Sequence, residues 1–196
     1  AIDTGFIVFN QKTYPHFLAL LDELGVAAQD SDMSFSVSGG RSGLEYNGSS
    51  LNGLFAQRSN LLRPSFYRML SDILRFNRSA LALLERPDTA LTLGDYLDGN
   101  GYSEQFVDYY ILPMGSAIWS TTAERMRAMP AVFFVRFFQN HGLLSIDDRP
   151  QWRVVRGGSA RYVDKLVAGH RDRIRLGAAV RELRRDADGV EVRAEG

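Results

Sequence analysis

The sequence predicts an α+β fold. Three features predict it: apolar residues at helical spacing through the middle of the chain, short alternating runs on both flanks, and glycine-rich turns between them. With 196 residues, 45% of them hydrophobic, the chain is long enough to bury one sizeable core, or two small ones, without disulfides or metals.

Phe6-Ile7-Val8-Phe9 is an extended apolar run. Behind Tyr14-Pro15, residues Phe17, Leu18, Leu20, Leu21 and Leu24 predict a short helix that Gly25 closes. Met33, Phe35 and Val37 alternate, Ser38-Gly39-Gly40-Arg41-Ser42-Gly43 supplies a turn, and Leu44-Glu45-Tyr46 resumes before Asn47-Gly48, which predicts a β-hairpin. From Pro64 to Leu84, the positions Phe66, Leu70, Ile73, Leu74, Leu81 and Leu84 recur every three or four residues. They predict one long amphipathic helix with Arg68, Arg75 and Arg78 outside the stripe.

Thr92-x-x-Asp95 reads as a capping box for a helix that runs to Gly99-Asn100-Gly101. A further helix is expected from Ser103 to Leu112, ended by Pro113. Thr121-x-x-Glu124 reads as another capping box, ahead of Met126, Met129, Val132, Phe133, Val135, Phe137 and Phe138. The last segment changes character. Trp152 to Val155 reads as a strand, Gly157-Gly158-Ser159 opens a helix through Tyr162, Val163, Leu166 and Val167, and Ile174-Arg175-Leu176 reads as a returning strand, making a β-α-β unit. Asp188-Gly189 then joins Val180-to-Arg185 and Val190-to-Val192 as a hairpin.

Composition excludes several classes. The 23 basic and 23 acidic residues cancel, so no net field draws the chain to nucleic acid or to an anionic membrane surface. The chain has no cysteine, which removes disulfides, thiolate metal sites and catalytic thiols. The apolar run Ala131 to Val135 ends at Arg136, far short of the roughly 20 residues of a spanning helix. No secretory signal is visible, and a reducing, cytoplasmic setting is expected. Neither Ala1-Ile2-Asp3-Thr4-Gly5 nor Glu195-Gly196 resembles a natural terminus, so a segment of a longer protein is expected.

His16, His141 and His170 have no second histidine or cysteine at ligand spacing, so they read as ordinary polar residues and no metal is expected. Asp147-Asp148 beside Arg149, between Gly142 and Pro150, reads as a solvated turn and not as an acid/base pair. No Gly-x-Ser-x-Gly occurs, which leaves a serine hydrolase without support. Gly39-Gly40-Arg41-Ser42-Gly43 lacks a phosphate-loop register and reads as hairpin punctuation. By contrast, Val155-Arg156-Gly157-Gly158-Ser159 stands at a strand-to-helix junction, where backbone can approach a ligand closely. Arg171, Arg173, Arg175, Arg181, Arg184 and Arg185 are offset by Asp172, Glu182, Asp186 and Asp188 and read as a solvated face. Phe133, Phe134, Phe137 and Phe138 read mainly as core, although four rings on one helix cannot all point one way and some are free to line a cavity.

Taken in order, Asp3-Thr4-Gly5-Phe6, Tyr14-Pro15 with Leu24-Gly25, Pro113-Met114-Gly115 with Ile118-Trp119-Ser120, and Gly157-Gly158 before a helix resemble the FAD-dependent amine oxidase and phytoene desaturase family, in particular its bacterial predicted NAD/FAD-binding branch. The resemblance spans nearly the whole chain. It implies part of a two-domain, glutathione reductase-like FAD-binding flavoprotein: a helical substrate-side insertion with a small mixed β-sheet, lacking the Gly-x-Gly-x-x-Gly loop that holds the pyrophosphate. Residues 1–30 would then be a cofactor-proximal segment with the first helix, 31–149 the mainly helical substrate-side region, and 150–196 the return to the FAD-binding domain. The resemblance places Asp3, Gly5, Phe6, Gly157 and Gly158 beside the cofactor, Val180 against its adenine, and Trp119 and Phe134 in the substrate cavity.

The expected activity is oxidation or desaturation of a hydrophobic small molecule such as an acyl chain, an isoprenoid or a hydrophobic amine. The hydride passes to FAD, so the lack of a catalytic dyad is no objection. Two alternatives stay open: an FAD-dependent isomerase, and a non-catalytic module that binds lipid or a partner. Without the pyrophosphate loop, this stretch alone is expected to bind FAD poorly.

Overall fold

The computed structural model describes residue 3 and residues 6–39, 43–145 and 150–195. Its elements begin with helix α1 (Pro15–Glu23), strands β1 (Ala28–Ser31), β2 (Ser36–Val37) and β3 (Tyr46–Asn47), and the one-turn helix α2 (Leu51–Leu54). A 3-10 turn at Arg58–Leu62 leads into α3 (Pro64–Ser79) and α4 (Ala82–Glu85), followed by α5 (Leu93–Gly99). Then come α6 (Glu104–Phe106), a π turn at Val107–Ile111, α7 (Leu112–Trp119), α8 (Ala123–Arg127) and α9 (Ala131–Asn140). Strand β4 (Trp152–Val155), helix α10 (Ala160–Val167), a 3-10 turn at Arg171–Arg173 and strands β5 (Val180–Arg185) and β6 (Val190–Ala194) follow. The described residues of Ala1–Ile7, His16–Gln29 and Val154–Gly196 form one compact unit, and those of Val8–Pro15 and Asp30–Arg153 form the other.

The larger unit is helical, and its core gathers Phe66, Met69 and Phe76 of α3, Leu97 of α5, Phe106 of α6, Met126 of α8 and Phe134 and Phe138 of α9. The spacing predicts one helix from Pro64 to Leu84, yet the ladder breaks after Ser79, where Leu83 N bonds Ala80 O and Leu84 N bonds Leu81 O, both at three-residue spacing. The buried face also differs from the predicted stripe. Met69 and Phe76 are fully buried, whereas Leu74 and Leu81 are exposed, because the covering helices, and not periodicity alone, choose the face.

Pro113 does not end a helix. The backbone widens into the π turn, where Leu112 N reaches back to Val107 O, and Pro113 then falls in the first turn of α7, where its missing N–H is tolerated. Proline cannot donate to the carbonyl four residues back, Tyr109 O. The buried Tyr46 hydroxyl donates to that oxygen at 2.7 Å instead. Burial, with Tyr110 beside it, pushes the Tyr46 phenol well above its usual range. Tyr46→Phe is therefore expected to lower stability by about 1 kcal/mol, read as a shift in the denaturation midpoint with unchanged slope.

Thr92 caps α5 as its spacing predicts, its Oγ1 accepting from Asp95 N at 3.1 Å. At α8 the cap is Thr122 and not Thr121: Thr122 Oγ1 accepts from Arg125 N at 3.3 Å. The backbone of Thr121 is committed elsewhere, since Ser120 turns left-handed (φ 48°) at the end of α7 and Thr121 N bonds Ser116 O. Pro130 then separates α8 from α9.

Among the described residues the strands make three two-stranded sheets, β1 with β4, β2 with β3, and β5 with β6, in place of the one small mixed sheet that the resemblance implies. The predicted hairpins are present: Val37 pairs Tyr46, and Leu183 pairs Val192, both antiparallel. Ile174-Arg175-Leu176 is not a strand, so the β-α-β unit does not form. Leu176 stands 91% exposed and Gly177 (φ 72°) turns the chain before β5 pairs with its sequence neighbour. Adjacent strands joined by a tight turn pair at small entropic cost, whereas a crossover needs a partner strand that Ile174–Leu176 does not meet.

In the smaller unit, the Phe17 ring of α1 packs edge-on against Phe6 at 4.8 Å and Tyr162 of α10 at 5.3 Å. Gly25 (φ 59°) ends α1 in the left-handed conformation that glycine permits. Lys165 Nζ donates to Leu24 O and Gly25 O, both at 2.8 Å, satisfying carbonyls at the negative end of the helix. Among the described residues no helix is long and apolar enough to cross a membrane, and no group of His, Cys, Asp or Glu could hold a metal ion.

Candidate functional site

The junction between β4 and α10 collects most of the residues that the resemblance places beside a cofactor. Gly157 (φ 83°) and Gly158 (φ 88°) both lie where a side chain is strained, and they turn the chain sharply from strand to helix. Asp3 sits on that turn. Its Oδ2 accepts from Ser159 N at 2.8 Å, and a Cβ at Gly158 would stand 3.4 Å from the same oxygen. Ser159 Oγ donates in turn to Phe6 O at 3.2 Å. The carboxylate thus occupies the positive end of α10, the position an anionic ligand group would otherwise favour.

Asp3, Phe6, Gly157 and Gly158 are therefore brought together in one unit. Val180 is the first residue of β5 in the same unit, paired with Ala194 and 55% exposed. Gly5 lies outside the described residues, as do Gly40, Arg41, Ser42, Asp147, Asp148 and Arg149. Gly158→Ala is expected to cost about 1–2 kcal/mol in unfolding free energy, since alanine must adopt a positive φ against Asp3. Chemical denaturation checks this, and an unchanged midpoint would show that the turn tolerates a side chain.

In the larger unit, Trp119 closes α7 and meets three rings of α9: Phe133 at 6.1 Å, Phe134 at 5.7 Å and Phe137 at 4.6 Å. These rings are not equivalent. Phe133 is half exposed and Trp119 partly buried, while Phe134 is wholly buried, stacked on Phe138 at 4.1 Å and edge-on to Phe76 at 6.3 Å. Gly115 permits the close approach of α7, because a Cβ there would lie 2.8 Å from Met126 Cε and 3.1 Å from Phe134 Cε2. The left-handed Ser120 fixes the end of α7 directly behind Trp119.

Two polar clusters escape the sequence reading. Asp72, on the buried face of α3, accepts from Ser103 N at 3.0 Å and from Arg75 Nη2 at 2.9 Å, with Arg68 Nε at 3.4 Å. Arg75 also donates to Asn100 O and Gly101 O and lies 4.0 Å over the Tyr102 ring. Burial pushes the Tyr102 phenol up to about 12. The second cluster pairs Tyr14 Oη with His141 Nε2 at 3.1 Å, while His141 Nδ1 lies 2.8 Å from Phe137 O. A partner 127 residues away leaves no mark in local spacing.

A model of the flavin containing amine oxidoreductase family matches residues 1–196. A search of curated proteins found no match. Among solved structures, two variants of putrescine oxidase, a single mutant and a triple mutant described as a structure-based redesign of cofactor binding, share the fold with TM-scores of 0.63 at 17% identity. The match covers 100% of this chain but 44% and 45% of theirs, so the chain spans less than half their length. The chain belongs to the flavin containing amine oxidoreductase family, whose cofactor is FAD.

Proposed function

We propose that the chain is the cofactor-edge and substrate-side part of a flavin-dependent oxidoreductase that oxidises or desaturates a hydrophobic small molecule. Residues 1–30 and 150–196 serve the cofactor side and 31–149 the substrate side. The division into compact units near 29/30 and 153/154 supports this, except that Val8–Pro15 goes with the larger unit. The observation that carries the reading is the strand, double glycine and helix bound to the Asp3 segment, in a chain matched along its whole length by the family.

The residues present fit part of FAD. Val180, 55% exposed, would meet the adenine and Phe6 would lie beside the cofactor, with the Asp3, Gly157 and Gly158 turn holding the neighbouring backbone in place. They do not fit the pyrophosphate, because Asp3 already fills the N-terminus of α10 and no Gly-x-Gly-x-x-Gly occurs in the sequence. That loop has to be supplied from outside these residues. When bound, FAD supplies the hydride acceptor. The chain's own share is to orient substrate and exclude water.

Trp119, with Phe133 and Phe137 beside it and Phe134 packed behind, makes an apolar wall suited to an acyl chain, an isoprenoid or a hydrophobic amine. A free diamine such as putrescine would demand carboxylates for its ammonium groups. Trp119→Ala is expected to lower kcat/KM about tenfold with hydrophobic substrates, at constant flavin content. Parallel assays of turnover and bound flavin test this, and equal loss of both would remove Trp119 from the substrate wall.

A further inference from the structure

We propose that the smaller unit carries a binding site for a phosphate group, free or as the phosphomonoester of a small molecule, in the cleft between the end of α1 and one flank of α10. The cleft encloses about 280 Å³ and is lined by residues 25–27, Arg156, Arg161, Asp164 and Lys165, all within that unit. The site goes beyond the flavin reading and does not rest on it.

The backbone brings three cations to this cleft. Arg156 follows β4, and its N donates to Ala27 O at 2.9 Å, which fixes the end of the strand beside residues 25–27. The chain then turns through Gly157 (φ 83°), and Arg161 lies back across the turn. A Cβ at Gly157 would stand 3.1 Å from Arg161 Nε and 3.4 Å from its Cγ, so the glycine leaves the room that the arginine stem occupies. Arg161 and Lys165 are four residues apart on α10 and share one face. Lys165 Nζ is anchored by Leu24 O and Gly25 O at 2.8 Å each, which uses two of the three N–H groups of its ammonium and leaves the third.

The charges are not balanced within the chain. Among the described residues neither Arg156 nor Arg161 has a carboxylate, carbonyl or ring as side-chain partner. Asp164 is the acid in the cleft, and Arg171 Nη2 already engages it at 3.4 Å. Three cations against one carboxylate leave an excess of two positive charges in the lining. Like charges held close repel, and an anion between them removes that cost. Each guanidinium presents a fork of N–H donors that matches phosphate oxygens, with the ammonium as a further point charge. A phosphomonoester offers three terminal oxygens to these three groups, where a carboxylate offers two. The volume falls just under the roughly 300–1,000 Å³ of sites for drug-sized ligands, which suits a phosphate with a small substituent and not a dinucleotide.

The test is an NMR titration of the purified, ¹⁵N-labelled chain with inorganic phosphate and with glycerol 3-phosphate, at constant pH and ionic strength. The expected result is a saturable, single-site shift of backbone amides centred on residues 25–27 and 156–165. Kd should rise about tenfold in Arg161→Gln and in Arg156→Gln. Arg173→Gln removes an exposed cation outside the cleft and should leave Kd unchanged. Both cleft arginines are exposed, so their replacement spares the core, while Lys165 is left intact because it caps α1. Tighter binding of glycerol 3-phosphate assigns the site to a phosphomonoester, and tighter binding of inorganic phosphate assigns it to the free ion. Shifts that do not saturate, or equal weakening in Arg173→Gln, would overturn the proposal. Displacement of glycerol 3-phosphate by FAD would also overturn it, by making the cleft part of the cofactor's own site.

Discussion

Phe134→Ala is expected to lower the unfolding free energy by about 3–5 kcal/mol and the melting temperature by roughly 10 °C. The ring is wholly buried, stacked on Phe138 and packed by Phe76 and Trp119, with Met126 and Gly115 close on its edge. Removing it loses the transfer energy of a large aromatic side chain and leaves a void that helices meeting at Gly115 cannot close. Phe133→Ala, one position earlier and half exposed, should change stability by no more than about 0.5 kcal/mol. Thermal unfolding of the two variants separates a ring that holds the helices together from one that faces a ligand. Equal, small effects would show that Phe134 lines open space.

Asp72→Ala is the second large effect, expected to cost about 2–3 kcal/mol. The carboxylate is almost fully buried and is the acceptor for Ser103 N at the start of α6, so alanine leaves that amide without its partner. The two arginines contribute less than their geometry implies. Arg68 is 60% and Arg75 41% exposed, and solvent screens both. Burial alone would raise the acid's pKa, but the hydrogen bonds from Ser103, aided by Arg75 and Arg68, outweigh it and hold it below its ordinary 3.8. The folded-state pKa is therefore depressed. Its stabilisation is present above the unfolded value and is lost as pH falls through the lower folded one. Urea denaturation of the unaltered chain and the variant should differ by a constant amount at neutral pH, with the gap narrowing below about pH 4.

Local chemistry was readable where it depends on near neighbours. The α1 stop at Gly25, the Thr92 cap, both hairpins and the Gly157-Gly158 turn follow from residues within a few positions of one another. Elements that depend on distant partners were not. Pro113 fails to break its helix because a π turn shifts the ladder and Tyr46 reaches the carbonyl from 63 residues away. Ile174-Arg175-Leu176 has strand composition but meets no strand, and Leu74 fits a stripe that the surrounding helices do not cover. Asp72 goes unremarked in the sequence reading, which singles out only Arg68, Arg75 and Arg78 outside the stripe. Its burial becomes visible only when the start of α6 is seen docked on it.

The same division applies to the candidate site. The Gly-Gly turn signals close backbone approach, and the structure shows what approaches: the chain's own Asp3 carboxylate.

The most direct test of the proposed function is the visible absorption spectrum, after reconstitution with FAD and gel filtration, of a protein in which these 196 residues stand together with a dinucleotide-binding loop, beside the 196-residue chain alone. The account predicts a retained oxidised-flavin band in the longer protein and little or none in the chain alone. A longer protein that emerges colourless after reconstitution would contradict it.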